Sequence, residues 1–131
     1  MPTIHRLQDI RVWHLSRRLV REIYLLSGGH AFRGDSSLRN QMRSAVVSIV
    51  SNIAEGFERD GNKEFIHFLS QAKGSAGEVM SQLFVAYDQQ YIDEATFYRV
   101  RYIVLQTLRM LDSWMMYLRA SPYKGKKFVR V

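Results

Sequence analysis

Apolar residues recur at steps of three and four positions over four long segments of this chain. That spacing is typical of one face of an α-helix and not of a strand, whose apolar residues alternate. Four helices are therefore predicted, at about residues 9–26, 37–57, 62–89 and 93–119, followed by a tail at 120–131. Because the links are short, neighbouring helices should be antiparallel. The predicted fold class is all-α, an antiparallel up-down four-helix bundle.

Short polar residues at the start of each stripe are candidate N-caps, because their side chains can accept a backbone N–H of the first helical turn. The candidates are Asp9, Ser36 or Ser37, Asn62 and Asp93.

Two glycines, Gly74 and Gly77, interrupt the third predicted helix. Since each costs about 1 kcal/mol relative to alanine in a helix, they suggest the close approach of another helix, or a kink. The second and third helices each carry polar residues on a face away from the apolar stripe. They form either two solvated faces or a hydrogen-bonded structural network, whose candidate members are Asn52, Glu55, Ser75 and Glu78.

The fourth predicted helix is apolar or aromatic most of the way round. Tyr98, Tyr102, Leu105 and Met116 lie off its core stripe, and one bundle cannot bury them all. Large exposed apolar surfaces usually mark interaction sites. We therefore expect a homo-oligomer, with the fourth helix and one side of the third in the interface.

The composition narrows the class of protein. A chain of 131 residues with 47% hydrophobic residues suits one domain with its own core, and the absence of cysteine excludes disulfides, thiolate zinc sites and a catalytic thiol. No apolar run approaches the roughly 18 residues of a membrane span, and the first residues do not resemble a signal peptide. We expect a soluble, cytoplasmic protein that does not contact a membrane.

The net charge of +7 is unevenly distributed. Residues 1–43 carry eight arginines against three carboxylates, residues 44–98 are acidic, and residues 99–131 carry eight bases against one carboxylate. If the first and last helices are neighbours, their charges combine into one positive surface. The alternative is a salt-bridged contact with the acidic middle, within one subunit or between subunits.

Basic residues on the first helix share one face at the spacing i, i+3, i+4, i+7, beginning at His14. Such a row is either a solvated face or a stripe that contacts phosphates. In the tail, basic residues stand among two aromatic residues, Tyr123 and Phe128, which suits RNA phosphates and exposed bases, although a solvated tail is the alternative. The candidate nucleic-acid-binding residues are Arg17, Arg18, Arg21, Arg39, Arg43, Lys124, Lys126, Lys127 and Arg130.

Catalytic and metal-binding patterns are missing from the sequence. The histidines lack zinc-ligand spacing, and no phosphate-binding loop or nucleophile elbow occurs. Glu55 and Glu78 on neighbouring helices suggest a di-iron bundle. Such sites also need Glu-x-x-His motifs, and neither glutamate has a histidine three positions later. We expect no enzyme activity, no metal and no cofactor.

Three segments resemble the signature of one bacterial family: NIAEG at 52–56, KEF at 63–65 and AKGS at 72–75. The family is the "four helix bundle protein" family, also called the 23S rRNA-intervening-sequence protein (S23) family. It is similar to the accessory protein of diversity-generating retroelements. The resemblance implies an antiparallel four-helix bundle, often assembled as a ring of five subunits. It implies no established catalytic activity, and relatives are suspected of binding nucleic acid.

The function predicted from these observations is a non-enzymatic nucleic-acid-binding accessory protein, with RNA favoured over DNA, assembled as a homo-oligomeric ring. A homopentamer is favoured because of the resemblance. The alternative is a protein–protein scaffold whose basic surface binds an acidic partner protein. A third hypothesis, an enzyme with Glu55 and Glu78 at its centre, predicts bound metal.

Overall fold

The four apolar stripes of the sequence become four α-helices in the computed structural model, which describes residues 4–121. The helices are α1 (Arg11–Ser27), α2 (Ser36–Glu58), α3 (Asn62–Asp88) and α4 (Glu94–Ala120). Each boundary lies within two residues of the predicted one. Contacts join α1 to α2, α2 to α3, α3 to α4, and α4 back to α1. The predicted all-α four-helix bundle is therefore confirmed, and α1 and α4 are neighbours.

The core follows the predicted stripes, with differences on α1 and α4. Every stripe residue of α2, from Leu38 to Phe57, is buried. On α1, Leu15 is only partly buried, because it lies at the edge of the helix that faces α4. On α4, Trp114 lies off the predicted stripe but is buried, with its ring 5.9 Å from that of Phe65 on α3.

Aspartates cap α2 and α4. Asp93 accepts a hydrogen bond from the Thr96 N–H at 2.8 Å, which confirms the predicted cap of α4. Hydrogen bonding to the Thr96 side chain, and then to its backbone N–H, lowers the pKa of Asp93. At α2 the cap is Asp35 and not a serine, and it accepts the Leu38 N–H at 3.0 Å. Its second oxygen accepts the Tyr91 hydroxyl at 3.0 Å, which raises the pKa of Tyr91. Asp35 therefore both caps α2 and joins it to the link before α4.

The predicted caps of α1 and α3 are wrong. The Asp9 carboxylate accepts the backbone N–H groups of His5 and Arg6, which closes a 3₁₀ turn ahead of α1 and lowers the pKa of Asp9. Asn62 is the first residue of α3, and the preceding Gly61 has a φ of 89°, which favours glycine. The buried Asn62 amide donates to the Leu118 carbonyl at 3.1 Å and ties the start of α3 to the end of α4.

The close approach of α2 and α3 occurs at Gly56. The predicted close approach at Gly74 and Gly77 is wrong within the subunit. A β-carbon on Gly56 would lie 2.8 Å from Cδ1 of Phe65 and 2.9 Å from Cβ of Phe68. At Gly74 and Gly77 a β-carbon would meet no atom within 4 Å. Gly56 therefore lets the end of α2 pack directly on the start of α3.

Candidate nucleic-acid interface

A groove between α1 and α4 brings basic residues of both helices together. The Arg99–Glu22 ion pair, 2.6 Å between Nη1 and Oε1, joins the two antiparallel helices and marks which residues lie side by side. Because the helices are antiparallel, eleven residues back from Glu22 on α1 corresponds to eleven residues forward from Arg99 on α4. Arg11 therefore lies beside Met110. The groove has a volume of about 510 Å³, and we call it the α1/α4 groove. Its lining residues are Arg11, His14, Leu15 and Arg18 of α1 with Gln106, Arg109 and Met110 of α4.

The charge in the α1/α4 groove is uncompensated. Within residues 4–121, Arg11, Arg18 and Arg109 form no ion pair and no side-chain hydrogen bond, and no carboxylate lines the groove. His14 is held at the rim, with its Nε2 donating to the Gln8 carbonyl at 2.7 Å. A guanidinium offers five donors in a planar fork that matches a phosphate or carboxylate, so this groove can bind an anion at several points.

The arginines of the predicted row on α1 line different surfaces, and nucleic-acid binding by Arg17 and Arg21 stays a prediction. The Arg17 guanidinium lies 4.9 Å from the centre of the Trp13 ring and, with Val20, Val47 and Val50, lines a smaller groove that faces α2. Arg21 is exposed, and among these three arginines Arg18 is the one that lines the α1/α4 groove. Sequence reasoning missed Arg11 and Arg109. The signal that could have found them is the excess of bases at both ends of the chain, combined with antiparallel pairing of α1 and α4.

Arg39 and Arg43 lie on α2, outside the α1/α4 groove. Arg43 donates from Nε to the Ser27 hydroxyl at 2.9 Å and from Nη2 to the Tyr24 carbonyl at 3.3 Å, with its guanidinium over the Tyr24 ring. A cation at this position satisfies carbonyl groups at the C-terminus of α1 and complements its dipole. Arg39 is partly exposed and contacts Asn40. The contacts give Arg43 a structural role, and nucleic-acid binding by either arginine stays a prediction.

The basic tail residues lie outside the described part of the chain. This applies to Lys124, Lys126, Lys127 and Arg130. The bundle places the end of α4 beside the start of α3, through the Asn62–Leu118 hydrogen bond. In the antiparallel bundle that is also the end at which α1 begins, so the chain leaves the bundle at the end nearer Arg11.

The predicted polar network forms only in part. The Ser48 and Ser75 hydroxyls are 2.9 Å apart across α2 and α3, and Asn52 donates to the Ser48 hydroxyl at 3.0 Å. Glu55 instead pairs with Arg59 of its own helix at 3.3 Å, and Glu78 is exposed on α3. The structure brings Asn52 and Ser75 together through Ser48 but leaves both glutamates out of the network.

A metal site and a membrane-spanning helix are both absent from residues 4–121. No group of three or more histidine, aspartate or glutamate side chains in that range is arranged to hold a metal ion. None of the helices there combines the length and the hydropathy that a membrane span requires.

Exposed apolar residues gather between α3 and α4 on the outside of the bundle. The Phe97 ring lies 4.9 Å from that of Phe84 on α3 and 5.2 Å from that of its sequence neighbour Tyr98. Phe84 is 44% exposed, Tyr98 is 56% exposed, and Met116, which shares a helix face with Tyr98 and Leu105, is 68% exposed. We call the exposed residues Phe84, Tyr98 and Met116, together with the partly buried Leu105, the α3/α4 seam.

Comparisons with known proteins find one family and a similar fold. The sequence profile of the family described as 23S rRNA-intervening sequence protein matches residues 8–113. A crystal structure of a protein of unknown function from the S23 ribosomal protein family of Bacteroides thetaiotaomicron is 20% identical, with a TM-score of 0.73. The similarity covers 79% of this chain and 97% of that chain. A comparison with curated proteins finds no match.

Proposed function

The chain belongs to the 23S rRNA-intervening sequence protein family, and from this premise we propose that it is a non-enzymatic nucleic-acid-binding accessory protein, with RNA favoured over DNA. In this proposal the α1/α4 groove contacts phosphates, and the tail residues from Lys124 to Arg130 add further positive charge. The family description refers to 23S rRNA intervening sequences, which makes RNA the first ligand to test.

The observation that carries the proposal is the set of unpaired guanidiniums in the α1/α4 groove. Arg11, Arg18 and Arg109 line one groove and have no carboxylate partner among residues 4–121. Bringing like charges together is unfavourable for the free protein, and a bound polyanion removes that repulsion. Each phosphate neutralised by an arginine also releases condensed counterions, so affinity should depend strongly on salt.

We further propose that the protein works as a homo-oligomeric ring, with five subunits expected from the resemblance. The α3/α4 seam supports an oligomer, because Met116 and Tyr98 are more than half exposed on the subunit. Clustered exposed apolar side chains are typical of interfaces between subunits. An oligomer would also repeat the α1/α4 groove around the assembly, and several linked sites bind one nucleic-acid strand more tightly than one site does.

The direct test is binding of purified, nuclease-treated protein to a labelled structured RNA and to duplex DNA of equal length, over a series of salt concentrations. We expect binding at micromolar concentration or tighter near physiological salt, with log affinity falling linearly with log salt. A ratio of affinities that favours RNA supports the choice of ligand. The absence of binding to either nucleic acid at low salt would contradict the proposal.

An acidic protein partner is the alternative occupant of the same groove, because a carboxylate fits the guanidinium fork as a phosphate does. A pull-down from extract treated with nuclease separates the two. We expect captured proteins to be lost with the nucleic acid. A partner retained after nuclease treatment, by a protein that binds no RNA or DNA, would favour the scaffold.

A further inference from the structure

A tyrosine stands beside the α1/α4 groove and is linked to one of its lining residues. The Tyr102 hydroxyl accepts a hydrogen bond from the Gln106 side-chain amide at 2.9 Å, and Gln106 lines the groove. Tyr102 is 59% exposed, so most of its ring is open to solvent. The hydrogen bond therefore places an exposed aromatic ring next to a residue that lines the groove.

The groove itself combines basic and apolar lining. Arg11, Arg18 and Arg109 supply the charge, whereas Leu15 and Met110 are partly buried and supply apolar surface. A duplex presents its phosphates on the outside and its bases stacked inside, so it could use the guanidiniums but not the apolar surface. An unpaired nucleotide offers both a phosphate and a flat face, and exposed bases commonly stack on aromatic rings and guanidinium planes.

We propose, on the basis of the proposed function, that the α1/α4 groove and Tyr102 bind an unpaired nucleotide of a nucleic-acid strand. The phosphates contact Arg11, Arg18 and Arg109, and the base packs against the Tyr102 ring and the apolar lining. A volume of about 510 Å³ lies within the usual range of about 300–1,000 Å³ for small-ligand sites, so the groove has room for one nucleotide. The protein then prefers single strands, loops and bulges over a continuous duplex.

The variants Tyr102→Ala, Tyr102→Phe and Tyr117→Ala test this assignment. Tyr102→Phe keeps the ring and removes only the hydroxyl. Tyr117→Ala is the matched control, because it removes a tyrosine of the same helix that packs on Trp114 and does not line the groove. Affinity is measured for a single-stranded RNA and for an RNA duplex of the same length, with uridine monophosphate as a competitor, and the oligomeric state is measured by light scattering.

We expect Tyr102→Ala to weaken single-strand binding by about 5- to 150-fold, the range that corresponds to the loss of one base–aromatic stack. The affinity of Tyr102→Ala for duplex RNA should change by less than about twofold. Tyr102→Phe and Tyr117→Ala should each bind single-stranded and duplex RNA within about twofold of the wild-type affinity. The oligomeric state should not change. Uridine monophosphate should compete only at concentrations far above those of the RNA, because it lacks the neighbouring phosphates.

The outcomes separate this inference from the proposed function. If the wild-type protein binds duplex and single strand equally, and Tyr102→Ala changes neither, the nucleotide site is refuted and the proposed function stands. A change in oligomeric state with Tyr102→Ala would assign the tyrosine to a subunit contact and also overturn the inference. Competition by the mononucleotide as strong as that by RNA would exclude a strand as the ligand. Failure of the wild-type protein to bind any nucleic acid refutes the proposed function, and the inference with it.

Discussion

Gly56 offers the sharpest test of the packing between α2 and α3. In Gly56→Ala the new β-carbon would lie 2.8 Å from Phe65 Cδ1 and 2.9 Å from Phe68 Cβ, both closer than the 3.0 Å below which real β-carbons are essentially never found. Phe65 cannot swing away, because it is buried between Phe57 and Trp114. The Cβ of Phe68 is attached directly to the backbone of α3, so the two helices must separate.

Overpacking of this kind costs about 1–3 kcal/mol of the free energy of unfolding. The substitution also gains up to about 1 kcal/mol, because alanine is a better helix former than glycine. Gly74→Ala provides a control for that gain, since its β-carbon would meet no atom within 4 Å. The difference between the two variants in free energy of unfolding therefore contains little of the gain in helix propensity. We therefore predict that Gly56→Ala is less stable than Gly74→Ala by about 1–3 kcal/mol.

The assay is urea unfolding followed by circular dichroism, with all variants at one protein concentration so that any assembly contributes equally. Gly74→Ala should be as stable as the wild-type protein or more stable. Equal stability of Gly56→Ala and Gly74→Ala would refute the packing described for Gly56. A destabilised Gly74→Ala would show instead that a second subunit packs on α3 at that glycine.

Three further predictions concern α1, α4 and the seam. Arg43→Ala should lower the free energy of unfolding by about 1–2 kcal/mol, because hydrogen bonds to the end of α1 are lost, whereas Arg39→Ala should change it by less than about 0.5 kcal/mol in the same urea assay. Asp93→Ala should lower the melting temperature at neutral pH, and the deficit should shrink in melts below pH 3.8, because the lowered pKa of Asp93 makes its stabilisation present above the unfolded pKa and lost on acidification. Phe84→Glu combined with Tyr98→Glu should shift the protein to monomers in light scattering, because charge on the α3/α4 seam prevents burial.

Each of these has an outcome that would contradict it. Equal effects of Arg43→Ala and Arg39→Ala would mean that the contacts of Arg43 with α1 contribute no stability. A deficit of Asp93→Ala that stays constant from neutral pH to pH 3 would exclude the ionised cap as its cause. An unchanged oligomer in the doubly charged variant would place the subunit interface elsewhere.

The helices were predictable because their cause is local. The stripe from Leu38 to Phe57 has a period that only a helix can present to one core, and all of it is buried. The caps were less predictable, since several polar residues compete at each helix start. Asp35 takes the position expected for Ser36 or Ser37, and it also accepts a hydrogen bond from Tyr91, 56 residues away in sequence.

The candidate site was predictable only in outline. The excess of bases at both ends of the chain indicated a positive surface, but the residues that share a groove depend on the register of α1 against α4. That register, which the Arg99–Glu22 pair marks, follows from packing between distant segments, and a single sequence does not reveal it. Arg43 illustrates the converse, because a basic residue that suits phosphate binding by type is engaged with the end of α1.

The measurement that tests the central claim most directly compares two triple variants, each of which removes three positive charges. The groove variant removes all arginines that line the α1/α4 groove, through Arg11→Gln, Arg18→Gln and Arg109→Gln. The control variant replaces three basic residues outside the groove, Arg33, Arg59 and Lys63, with glutamine. Single-strand and duplex RNA affinities are measured from low to physiological salt. The groove variant should lose affinity steeply. Its log affinity should also depend less on log salt, with the magnitude of the negative slope smaller by about 2 to 3, as expected for three lost phosphate contacts. The control should keep a slope close to that of the wild-type protein. Equal losses in the two variants would show that net charge and not the groove governs binding, and would contradict the account.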